Sequence, residues 1–68
     1  MDRLLETYRF GRHTVAVVEH LEDEGPCYSV LVDDVPAGAP VDSPLTLDDV
    51  VRIYARALRE REAEADGA

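Results

Sequence analysis

The sequence predicts an α+β fold: a three-stranded antiparallel meander followed by one C-terminal helix, in the order β-β-β-α. Three observations predict it. Two β-branched apolar runs, Val15-Ala16-Val17-Val18 and Cys27-Tyr28-Ser29-Val30-Leu31-Val32, flank the turn cluster Asp23-Glu24-Gly25-Pro26. A Gly11-Arg12 pair separates the first of these runs from Tyr8-Arg9-Phe10. From Leu47 onward, apolar residues recur at helical spacing behind a capping signal.

The elements follow in order. Tyr8-Arg9-Phe10 alternates, and a glycine at the first central position of the following turn suits a type II′ hairpin. The second strand should run from His13 to about Glu22. Gly25 supplies the positive φ that a tight turn after Asp23-Glu24 requires. Asp33 to Pro40 is punctuated by proline and glycine and reads as an irregular crossing, with room for a short fourth edge strand near Ala39 to Asp42. The helix opens at Thr46, with Asp49 in the capping-box position and Leu45 placed to staple onto Val50. Leu47, Val50, Val51, Tyr54 and Leu58 form its expected apolar stripe. The whole is one small domain: sheet from about 6 to 33, crossing 34–44, helix from about 46 to 64 and a frayed tail 65–68.

Pairing the strands assigns faces. A turn spanning Asp23 to Pro26 sets Glu22 opposite Cys27. Leu21, Glu19, Val17 and Val15 then face Tyr28, Val30, Val32 and Asp34, a mostly apolar surface for the helix to cover. The opposite face carries His20 against Ser29, Val18 against Leu31 and Ala16 against Asp33. A single-residue change in the turn would exchange the two faces. One helix covers one face, so the Val18 and Leu31 patch needs another cover. Leu4 and Leu5 folding over it, a second copy of the chain or a different protein would supply one.

The chain has 68 residues, with 15 acids against 7 bases and a net charge of −8. A chain of this size buries about 60% of its unfolded surface and commonly gains stability by association. Every basic residue is arginine, and lysine, asparagine, glutamine and tryptophan are missing, a bias expected of a GC-rich bacterial source. The acidic balance argues against nucleic-acid or membrane binding, which relies on clustered lysine and arginine. No apolar run approaches the roughly 20 residues of a membrane-crossing helix. The start Met1-Asp2-Arg3-Leu4-Leu5-Glu6 lacks the pattern of a signal peptide, and a cytoplasmic protein is expected.

The residues that carry chemistry are sparse. His20, Glu22 and Cys27 gather at one hairpin end, but one cysteine and one histidine fall short of a structural metal set, and no cofactor or metal is expected. His13 should face the other side of the sheet. Asp33 and Asp34 follow a strand, yet adjacent strand residues diverge and share an ion poorly. Ser29 near His20 makes a nucleophile–base pair on a flat strand surface, without a cleft or oxyanion donors. Arg52, Arg56 and Arg59 stripe the helix, but Asp48, Glu60 and Glu62 stand three or four residues away as ion-pair partners. No phosphate loop or dinucleotide fingerprint occurs, and catalysis is not expected.

From Cys27 to Leu58 the chain resembles the HicB-type antitoxin domain. The resemblance rests on the strand Tyr28 to Val32, the corner Asp34-Val35-Pro36-Ala37-Gly38 and the helix start Thr46-Leu47-Asp48-Asp49-Val50. It implies a small sheet in a partial RNase H-like arrangement and a role in covering a partner protein. Taken with the composition, the expected function is a small, acidic, non-enzymatic interaction or regulatory module, a homodimer or the partner of another protein. Its docking residues are Val18, His20 and Leu31 on the free sheet face, with Glu22, Asp23 and Glu24 as an acidic rim that steers a basic partner. Two other roles fit the same composition: a small-ligand binder whose pocket forms at a homodimer seam, and an acidic mimic of DNA.

Overall fold

A computed structural model describes residues 2–67. It has four antiparallel strands in the sheet order β1-β2-β3-β4: β1 Asp2–Phe10, β2 His13–Glu22, β3 Gly25–Val32 and β4 Val35–Pro36. One helix, α1 Leu47–Gly67, follows. The α+β class and the β-β-β-α order are those the sequence predicts.

Each turn follows from its residues. Gly11 has φ +62° and Arg12 does not, as a type II′ turn requires. The β2–β3 loop is two residues, Asp23 and Glu24, because Gly25 with φ +127° already pairs with Glu22. The expected four-residue turn therefore gives way, and the register moves by two: His20 stands opposite Cys27, Val18 opposite Ser29, Ala16 opposite Leu31 and Val15 opposite Val32. A slip of two preserves side-chain parity, so the predicted faces hold although the predicted partners do not. Asp33 at φ 51° and Asp34 at φ 67° form a type I′ turn that folds the chain straight back onto β3. The expected irregular crossing thus starts as a hairpin. Ala37 N–H donates to Val30 O at 2.8 Å, and Val41 exchanges two backbone hydrogen bonds with Tyr28 at 2.7 and 2.9 Å.

β1 starts at Asp2, earlier than the sheet boundary near residue 6 anticipated. A bulge at Leu5 sets Leu4 opposite Val18 and Glu6 opposite Val17. Leu4 and Leu5 belong to the sheet and do not fold over it.

The core is almost entirely valine. Val15, Val17, Val30, Val32 and Val50 are buried together, on the face that α1 covers. β-branched side chains pack well on a pleated surface and lose little rotamer freedom there. Thr46 caps α1 as expected: Asp49 N–H donates to Thr46 Oγ1 at 3.2 Å and Thr46 N–H donates to Asp49 Oδ2 at 3.0 Å. Leu45 packs against the cluster that contains Val50. The apolar stripe is rotated from the expected one. Val50, Ile53, Tyr54 and Ala57 face the sheet, whereas Leu47 and Val51 are exposed. Of the expected tail 65–68, the helix backbone continues to Gly67, and Ala68 lies outside the described residues.

Candidate functional site

α1 covers one side of the sheet and leaves the other open. Three lateral rows cross the open face: Asp2–His20–Cys27, Leu4–Val18–Ser29 and Thr7–Ala16–Leu31. Arg9 and Thr14 form a further pair at one end, and Glu22 with Gly25 closes the other. Pro36 extends the Leu31 row. The bulge at Leu5 re-phases β1, so that Leu4 reaches this face while Glu6 turns to the helix side. Val18, Ala16 and Leu31 are half-buried by their neighbours, and Leu4 is 61% exposed.

His20 links all three long strands. Its Nδ1 lies 2.8 Å from Asp2 Oδ1 and its Nε2 lies 3.0 Å from Ser29 Oγ. With Nδ1–H donating to Asp2 Oδ1, Nε2 is placed to accept from the Ser29 hydroxyl. The hydrogen bond from His20 holds the Asp2 carboxyl below its ordinary range. The order acid, base, hydroxyl is that of a nucleophilic triad. Its setting is not: Ser29 lies mid-strand, where backbone donors belong to the ladder, on an open pleated surface with Asp2 at an exposed end. The chain of hydrogen bonds pins β1 to β2 and β3. His20 meets Ser29 on the diagonal, not directly opposite as expected, because Cys27 takes the opposite position.

The acidic residues close one end of this face. Glu22, Asp23 and Glu24 are exposed at the β2–β3 tip. Together with Pro26, Cys27 and Asp42 they line an open concavity of about 650 Å³. Among the described residues no group of three or more His, Cys, Asp or Glu side chains is placed to hold a metal ion. No helix among them is long and apolar enough to cross a membrane.

A second polar cluster lies on the helix side. Asp33 accepts from His13 Nδ1 at 2.7 Å, from the Thr14 backbone N–H at 3.0 Å and from Arg61 Nη1 at 3.2 Å. Arg61 also donates to Val32 O at 2.8 Å. These donors, His13 foremost, hold the Asp33 carboxyl down at about 2. His13 faces the helix side as expected, edge-on to Tyr54 at 5.9 Å. On the outer helix surface Arg52 pairs with Asp49 at 3.0 Å, not with Asp48, and Arg56 pairs with Glu60 at 3.4 Å.

All six predicted docking residues therefore fall on one continuous side: Val18, His20 and Leu31 on the open face, Glu22, Asp23 and Glu24 at its end. Sequence reasoning missed Asp2 and Arg9, which mark the two charged ends of β1 on this face. The only signal for them was the distance along β1 from the Gly11 turn, and the bulge at Leu5 corrupts that count. Comparison with family models, with curated proteins and with solved structures yields no match.

Proposed function

We propose that this protein is a small non-enzymatic interaction module that acts by docking, through its open sheet face and the acidic β2–β3 tip. The observation that supports this most is an apolar centre, Leu4, Val18 and Leu31, left uncovered beside a tip of three consecutive acids. Contiguous apolar surface rimmed by charge marks interaction sites. The tip gives a field that steers a basic partner, as an antitoxin-like or immunity-like cover does. The free thiol of Cys27 suits a reducing compartment, and a cytoplasmic site of action is part of the proposal.

The test is capture from lysate of the source cell at graded salt, with wild type, Val18→Asp and a neutralised tip (Glu22→Gln, Asp23→Asn, Glu24→Gln). A specific partner should be retained by wild type, lost with Val18→Asp and released by rising salt. The neutralised tip should bind more weakly and lose most of the salt dependence. Identical capture by Val18→Asp would overturn the docking face.

A further inference from the structure

Resting on that docking reading, we infer that the occupant of the open face is a second copy of this chain. The two sheets are related by a two-fold axis that lies between them, runs across the strands and passes between the Leu4–Val18–Ser29 and Thr7–Ala16–Leu31 rows. This operation lays each of those rows over the other, and each strand over its own copy. The face is self-complementary under it. On β2, Val18 meets Ala16 of the other copy, large against small. On β3, Leu31 meets Ser29 of the other copy, again large against small. On β1, Leu4 meets Thr7 of the other copy, and Asp2 meets Arg9 of the other copy. Arg9 has no carboxylate partner among the described residues, and Asp2 commits only Oδ1 to His20. Sheets packed face to face interdigitate in this manner about 10 Å apart. An isologous interface repeats every such contact twice.

A two-fold axis along the strands would set the two acidic tips at the same end, like charge beside like charge. In the proposed arrangement the acidic tips stand at opposite ends of the dimer, and a basic partner that needs the face as well as the tip competes with the second copy for it. Salt separates the two events. Each copy carries −8, so screening strengthens the pairing of like-charged copies and weakens docking of a basic protein.

Light scattering after size exclusion, from micromolar to millimolar chain, reads the mass against the 7.5 kDa of one copy. Wild type should run at twice that mass, more completely at higher salt. Arg9→Asp and Asp2→Arg should each dissociate at least about tenfold more readily, since each sets like charges together. Their equimolar mixture should recover the dimer, because every Asp2 site then meets an opposite charge across the axis. Ala16→Leu fills the hole that receives Val18 and should also yield monomer, with its far-ultraviolet circular dichroism unchanged. A wild type monomeric throughout, a dimer indifferent to Ala16→Leu or to both charge reversals, or a mixture that stays monomeric would each overturn the inference. A monomer that still loses its captured partner on Val18→Asp leaves the docking reading standing, whereas one that captures alike with and without Val18 sinks both.

Discussion

Asp33 occupies a backbone position that suits glycine or asparagine, and its carboxylate nevertheless gathers donors from His13, Thr14 and Arg61. The two facts belong together: the left-handed turn swings the carboxylate back over the start of β2. Because its folded pKa is depressed to about 2, its contribution to stability is full above the unfolded carboxylate value near 3.8 and is lost as pH falls toward 2. Asp33→Asn keeps the turn but removes the charge. Its unfolding midpoint should lie below that of wild type at pH 7, and the gap should close below about pH 4 in a denaturant titration across pH. Asp34 makes no such contacts among the described residues, so Asp34→Gly should relieve left-handed strain and stabilise the fold by about 1 kcal/mol in the same measurement. Neither aspartate's role was legible in the sequence. Asp-Asp is an uncommon type I′ pair, and the donors lie 19 to 28 residues away.

At the scale of the element, local signals read best. The Thr46 and Asp49 cap, the Gly11 turn and the β-branched cores of β2 and β3 all form where their residues predict, because each depends on neighbours a few positions away. The helix stripe was legible only to within a rotation. Its apolar residues surround more than one helix face, and tertiary contacts choose Ile53 and Ala57 over Leu47 and Val51. Arg61, one turn beyond Ala57, was invisible as a contact residue, since it anchors the helix by hydrogen bonds to Asp33 and Val32 O. Two mutations separate the ends of α1. Thr46→Ala should cost about 1 kcal/mol through the lost cap. Arg61→Ala should leave the first turns intact and raise amide hydrogen exchange selectively in the C-terminal half, because Arg61 ties that half to Asp33 and to Val32 O.

For the molecule as a whole, the valine core sets the limits. A single core in a chain this small rarely supplies more than about 3–5 kcal/mol, so Val32→Ala, which empties part of a fully buried site at a cost of about 2 kcal/mol, should take a large share of it. Calorimetry should show the melting temperature drop sharply. If the open face pairs, that melting temperature should also rise with protein concentration, by mass action. The sequence showed which face the helix would cover and which would remain open, since a two-residue slip leaves parity intact. It did not show where the ends of β1 fall on that face, because one extra residue at Leu5 breaks the alternation from which such a reading is made. That extra residue has a second effect. The outer strands of an open sheet offer unpaired backbone groups to any passing chain. Here one outer strand is interrupted at Leu5, and the other is two residues long and ends in Pro36, which has no N–H to offer. Both sides of the sheet therefore offer fibril growth an interrupted template, broken at Leu5 on one side and at Pro36 and the Val41 bridge to Tyr28 on the other.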